Sequence, residues 1–282
     1  MGGFAMAPGV ADVSTLLYTT LGTSLCIASA NSINQWIEVP YDAQMLRTRH
    51  RVLGRRQLSQ IHAFGFGLLS GTVGTGILAA MVNPLTAGLG LANIFLYTCV
   101  YTPMKRASIA NTWVGAVVGA IPPMMGWTAV TNSLWDPGCW VLGGILYAWQ
   151  FPHFNSLAWN LRADYSKAGY RMMSVTDPKL NARVSLRYSL AMVPLSLALP
   201  YLGITTPWFA LDSTVVNAAL IYGAVQFWRN SNEKSARQLF FGSVVHLPLL
   251  LGLMMVHKAS KTEEEEASLD PKDVASPIPT NA

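Results

Sequence analysis

NQWIEVPYDAQMLRTRHRVLGRR, residues 34–56, follows directly on a long apolar stretch and turns abruptly basic. Asn34, Glu38 and Asp42 recur at i, i+4 and i+8, so a helix running through them sets all three on one face. One amide and two carboxylates offer the oxygen ligands that Mg²⁺ takes alongside water and substrate phosphate. A helix end reaching the membrane interface would also carry polar residues there, and spacing alone leaves both readings open. Pro40 removes the bond to position 36 and is expected to kink the helix, which could turn Asp42 toward the same ligand. Beyond it, Arg47 and Arg51 are candidates for binding phosphate, because guanidinium forks match phosphate oxygens. Arg55 and Arg56 read as topology anchors.

The chain of 282 residues is 51% hydrophobic and only 12% charged, with mean hydropathy +0.33. A soluble domain carries about 25% charged residues, so these values point to an integral membrane protein, all-α and polytopic. Apolar runs of spanning length cover about 13–37, 60–82, 84–103, 108–131, 138–159, 185–204, 207–228 and 238–257, giving eight expected spans. Gly65, Gly67, Gly71, Gly74 and Gly76 in the second predict close helix packing.

Of the 19 Lys and Arg residues, 16 fall in alternate loops: 47–56, 105–106, 162–187 and 229–237. The intervening loops near 83, 132–137 and 205 carry none, and the other three basic residues lie in the C-terminal tail. By the positive-inside rule the basic face is cytoplasm-like, or the matrix side in a mitochondrion. The charge pattern is one of membrane topology, and no nucleic-acid partner is expected. Cys26, Cys99 and Cys139 read as buried inert thiols without metal or disulfide spacing. The polar stretch from Lys258, with Glu263–Glu266 and several prolines, reads as a disordered tail beyond a transmembrane domain of residues 1–257. No signal peptide or presequence is legible at the start.

Two further groups lie on the basic face. Tyr101 and Lys105 close the third span four residues apart. They can serve a leaving diphosphate or a carbocation, or simply be a belt tyrosine and a snorkelling lysine. WQFPHFN, residues 149–155, sets His153 among aromatics inside a span, as a core histidine or as a contact to haem. Asp164 follows just past that span, on the same side as Asp42, with Lys167 three residues on. His62, His246 and His257 are given no role.

Together these groups resemble the UbiA-type intramembrane prenyltransferases, with their N-x-x-x-D-x-x-x-D motif and a second acidic motif in a later loop. Within that family the chain is most similar to the haem-farnesylating branch in its mitochondrial form. The stretches that carry this are ANSINQWIEVPYDAQMLRT, NPLTAGLGLANIFLYTCVYTPMKRASIANTWVGAVVGAIPPMMGWTA, GGILYAWQFPHFNSLAWNLRADYSKAGYRMMSVTDP and LFFGSVVHLPLLL. The resemblance runs from about Gly3 to His257. It implies a UbiA-type helix bundle in the mitochondrial inner membrane with its basic loops toward the matrix. It also implies Mg²⁺ held by Asn34, Glu38, Asp42 and Asp164, and farnesyl diphosphate bound by Arg47, Arg51, Lys105 and Lys167. Tyr101 would face the reacting carbon and His153 the haem. Haem b would be the acceptor, haem O the product, and haem A synthase a partner. Glu38 stands where many members have Asp, His50 and Val52 differ from the usual loop, and Arg56 stands where Gly is common. Gly3–Gly9 resembles only the end of the family's first span, which implies a form lacking most of that helix, with lowered stability or activity.

Readings from other classes are a polytopic transporter and a haem-binding assembly protein without prenyl transfer. A quinone precursor as acceptor is a further reading inside the family. Charges confined to one face and the lack of a visible repeat argue against a transporter. An assembly protein would need His153 but neither Asp42 nor Asp164.

Overall fold

Six helix starts follow one rule. Asp12, Ser59, Asn83, Asp136, Asp177 and Asn232 each accept a hydrogen bond from a backbone N–H in the first turn. Pro84, Pro137 and Pro178 then occupy the first position of three of these helices, where a missing N–H costs nothing. The computed structural model describes residues 2–9 and 12–259. Its helices are α1 (Gly2–Met6), α2 (Val13–Asp42), α3 (Gln60–Met81), α4 (Pro84–Phe95), α5 (Thr102–Ala107), α6 (Asn111–Thr131), α7 (Pro137–Asn160), α8 (Arg162–Lys167), α9 (Met173–Thr176), α10 (Pro178–Tyr201), α11 (Trp208–Asn230) and α12 (Glu233–Val256). Among the described residues the only β pairing is an isolated bridge between Thr205 and Lys258.

Each of the eight expected spans coincides with a long helical segment, the third being continuous from Pro84 to Ala107. Six are long and apolar enough by themselves to cross a membrane, while α7 and α10 are as long but more polar. The difference in α10 is a correction. The helix begins at Pro178, well before the expected 185, because Asp177 caps it and Pro178 starts it. Lys179, Arg183 and Arg187 therefore lie on its first turns rather than in a loop. Likewise α2 continues past 37 to Asp42, with Pro40 accommodated in its last turn.

The core is centred on α7, which packs against α6, α10 and α12. Cys139, Leu142 and Ile145 of α7 are fully buried among Trp127, Phe209 and Phe227. Buried amides cross-link this half. Asn155 and Asn181 donate to each other's backbone carbonyls, at 3.3 and 3.1 Å. Such bonds have no water to compete with them, and each contributes about 0.6 kcal/mol in a membrane protein. Cys26 and Cys139 are buried thiols as expected, but Cys99 is exposed on the outer face of its helix. Lys258 donates to the carbonyls of Ala5 and Ala7, at 2.7 and 2.9 Å. The rest of the expected disordered tail, from 260 on, lies outside the described residues.

The glycines of α3 divide by face. A Cβ at Gly74 would stand 2.8 Å from Leu25 Cβ, 2.9 Å from Gly22 O and 3.0 Å from Cys26 N, so α2 and α3 meet backbone to backbone. Gly67 and Gly71 also face α2, whereas Gly65 and Gly76 face open space and take no part in packing. Replacing Gly74 with Val should therefore force the two helices apart at a cost of about 2 kcal/mol. The melting temperature in detergent should fall for Gly74→Val and stay unchanged for Gly76→Val.

Candidate active site

The last turns of α2 bury Asn34, Glu38 and Asp42 together, at 6%, 5% and 3% exposure, on the one face their spacing predicts. A separate group from elsewhere in the chain holds each. Asn34 Nδ2 donates to Thr102 Oγ1 at 2.9 Å. Lys105 Nζ donates to Glu38 Oε1 at 2.7 Å. Arg51 donates through one terminal nitrogen to Asp42 Oδ2 at 2.6 Å. An unpaired carboxylate or ammonium at this depth would cost several kcal/mol, so each charge is tenable because of its partner. Asp42 Oδ1 is buried with no hydrogen-bond partner among the described residues.

Thr102 and Lys105 reach α2 because the third span is irregular. Leu96–Tyr101 winds as a π-helix between α4 and α5. Pro103 has no N–H to continue the α ladder, and the Thr102 hydroxyl donates to Tyr97 O at 2.8 Å across the widened turn. Tyr97 and Tyr101 lie on this turn, with their ring centroids 5.5 Å apart. Lys105 Nζ stands 4.7 Å from the Tyr101 ring centroid, between that ring and Glu38. The backbone of Arg171 fastens to α5 by donating to Lys105 O at 2.7 Å.

These groups line a cavity of about 200 Å³, walled also by Met45, Arg47, Tyr165 and Tyr170. Burial pushes the Tyr165 phenol upward, against the opposing pull of Arg47 and Lys105. Burial also raises Tyr170, and the negative charges of Glu38 and Asp42 add to the shift. Both phenols therefore stay protonated and offer neutral hydroxyls to a ligand. A second cavity of about 280 Å³ shares Tyr97, Tyr101 and Phe154 with the first and runs between α6 and α7. Gly115 and Gly119 make room on α6, since a Cβ at Gly115 would press on the Tyr101 ring at 2.7 Å. His153 lines this second cavity. Its ring stacks between Trp149 at 4.5 Å and Phe240 at 4.9 Å, and Nδ1 bonds Ser243 Oγ at 2.9 Å. The Ser243 hydroxyl also donates to Phe240 O at 2.6 Å, which fixes the position of the serine against the ring.

The structure thus gathers Asn34, Glu38, Asp42, Arg47, Arg51, Tyr101 and Lys105 around one cavity. Asp164 is half-buried on α8 just outside it, where its Oδ2 accepts from Arg47 N at 3.4 Å. Lys167 is exposed at the end of α8 and does not line the cavity, because the short helix turns it outward. Tyr97, Thr102, Tyr165 and Tyr170 were not anticipated. Tyr97 sits four residues before Tyr101 and eight before Lys105, a stride readable in the sequence. Tyr165 on α8 and Tyr170 just past it come from the connection between α7 and α9, whose return path no local pattern gives.

No group of three or more His, Cys, Asp or Glu side chains that could hold a metal occurs among the described residues. The donors present do fit Mg²⁺ as oxygen ligands, with the unpartnered Asp42 Oδ1 as the free position. The remaining ligands must then come from water and from a bound anion.

A model of the UbiA prenyltransferase family matches residues 1–245. The chain is 56% identical over 256 residues to the Homo sapiens protein named "Protoheme IX farnesyltransferase, mitochondrial", covering 91% of this chain and 58% of that protein. It is 49% identical over 272 residues to the protein of the same name from Yarrowia lipolytica, covering 92% and 58%. The chain therefore spans less than two thirds of the length of these relatives. Among solved structures, a digeranylgeranylglyceryl phosphate synthase superposes with TM-score 0.77 at 14% identity, over 91% of this chain and 90% of that one. A UbiA homologue from Archaeoglobus fulgidus bound to GPP and Mg²⁺ gives 0.59 at 12% identity, over 90% and 92%. At such identity these structures establish the fold alone. With a helical bundle of that fold and a family match over most of its length, the chain belongs to the UbiA prenyltransferase family.

Proposed function

We propose that this chain transfers the farnesyl group of farnesyl diphosphate to a vinyl group of haem b, giving haem O. The observation that carries the reading is a buried pair of carboxylates, Glu38 and Asp42, met by Lys105 and Arg51 and opening onto an aromatic cavity with a histidine edge. The identity to relatives named for that reaction supports the choice of both substrates.

The diphosphate lies in the smaller cavity, where Arg47, Arg51 and Lys105 meet its charge. Asn34, Glu38 and Asp42, with Asp164 at the rim, would hold Mg²⁺, which when bound would supply charge neutralisation to the leaving group. Lys167, exposed outside the cavity, is left out of this set. Entry of the diphosphate lets Arg51 and Lys105 shift their hydrogen bonds from Asp42 and Glu38 to phosphate. The carboxylates are thereby freed as ligands. The bond from C1 to oxygen breaks and its electron pair leaves with the diphosphate. The allylic cation faces the Tyr97 and Tyr101 rings, whose π faces favour positive charge. The vinyl π electrons form the new carbon–carbon bond to C1. Water adds to the cation left beside the porphyrin and loses a proton, which gives the hydroxyethylfarnesyl group. Apolar walls keep bulk water from the first cation, which would otherwise yield farnesol.

His153 lines the larger cavity and is the candidate contact to haem. On this reading the protein sits in the mitochondrial inner membrane with its basic loops toward the matrix, which the names of its relatives and the one-sided basic charge support, and haem A synthase would take the product.

Membranes containing the chain, given haem b, farnesyl diphosphate and Mg²⁺, should form haem O detectable by chromatography and mass; absence of product would overturn the proposal. Asp42→Asn should lower the transfer rate by at least about a hundredfold, as loss of a charge-stabilising group does, while haem binding persists. A haem-binding assembly protein would be indifferent to that change. Lys105→Met leaves Glu38 buried without its cation and should cost about 3 kcal/mol of stability. Adding Glu38→Gln should restore the melting temperature but not the activity.

A further inference from the structure

A cavity of about 880 Å³, far larger than the two above and sharing no lining residue with them, lies between α11 and α12. Its rims are exposed apolar side chains, among them Tyr222, Phe241 and Val245 at 68%, 60% and 64% exposure. Its floor is set low by Gly223 and Gly242, and a Cβ at Gly242 would meet nothing within 4 Å. A buried node at the base of the groove ties its two walls to the bundle. There Asn217 Nδ2 donates to Ser196 Oγ at 3.0 Å, and Asn217 Oδ1 bonds His246 Nε2 at 2.9 Å, tying α10, α11 and α12.

One end of the groove differs chemically from the rest. At the basic face it is walled by Asn230, Asn232, Lys234 and Gln238. Lys234 is exposed and enters none of the ion pairs among the described residues, whereas its neighbour Glu233 pairs with Arg162 at 3.6 Å. An apolar trough with an uncompensated cation and carboxamides at one mouth is complementary to an amphiphile with an anionic head. The length agrees. Fifteen residues separate Lys234 from Leu249 at the far end of the lining, about 22 Å along a helix. That is more than one hydrocarbon leaflet of about 15 Å. A second copy of the chain in the same membrane orientation would set Lys234 against Lys234 at equal depth, which is unfavourable.

We propose that the groove between α11 and α12 seats one anionic phospholipid, with its phosphate at Lys234 and an acyl chain over Gly223 and Gly242. Dispersion contacts along the floor hold the chain, and the head group selects charge.

Native mass spectrometry of the detergent-purified chain, titrated with phosphatidylglycerol or phosphatidylcholine, tests this directly. The chain should retain one phosphatidylglycerol about fivefold more readily than phosphatidylcholine. Lys234→Gln, an exposed change, should keep lipid binding but lose the preference. Gly242→Leu should fill the trough and abolish the adduct without lowering the lipid-free melting temperature. An adduct of undiminished strength in Gly242→Leu, equal retention of both lipids, or a groove occupied by a second copy or by haem instead of lipid, would overturn the proposal.

Discussion

Two carboxylates buried at the end of a membrane helix are the constraint on which the rest of the site depends. Glu38 and Asp42 are tenable there because Lys105 and Arg51 reach them from two other parts of the chain. Those reaches explain features that otherwise look like defects. The π-helical turn before Pro103 rotates Tyr97, Tyr101 and Lys105 toward α2. The loop after α2 folds back so that Arg51 meets Asp42, and Thr48 donates to Asp42 O at 3.0 Å. Under the proposed function, the charge pairs are the resting form of a site whose cations and carboxylates would share a third partner, a diphosphate with its metal.

The scaffold serves this arrangement by close packing on either side. The Gly67, Gly71 and Gly74 face lets α3 lie directly on α2, which carries the acidic residues. On α6, Gly115 and Gly119 admit the Tyr101 ring and Gln150 and thereby shape the second cavity beside the first. In lipid, where apolar surface gains little by burial, such backbone proximity and buried amide bonds carry helix association.

Much of this was legible in the sequence. The i, i+4, i+8 stride of Asn34, Glu38 and Asp42 survives as a buried face, and the apolar runs located the long helices that carry the site, though not the short α8. Helix ends were less legible, because α10 trades apolarity for a capped start and carries its basic residues as exposed side chains on its first turns. Arg56 shows what a residue pattern can signal without explaining. The resemblance sets it where glycine is common, and it adopts φ +55°, the left-handed region that glycine enters without penalty. Asp164 and Lys167 lie three residues apart, yet only Asp164 reaches the site, through the backbone of Arg47. That distinction depends on the path of the loop, which no periodicity encodes. Tyr165 and Tyr170 belong to the same connection between α7 and α9 and were missed for the same reason.

Under the proposed function, metal and diphosphate bind as one unit, since Glu38 and Asp42 each already have a cation and the described residues hold no complete metal cluster. The direct test is electron paramagnetic resonance of Mn²⁺, used in place of Mg²⁺, with the purified chain and the unreactive analogue farnesyl thiodiphosphate. Tight Mn²⁺ binding should appear only when the analogue is present and should vanish in Asp42→Asn. Equally tight Mn²⁺ binding without the analogue, or analogue-dependent binding that survives Asp42→Asn, would contradict the account.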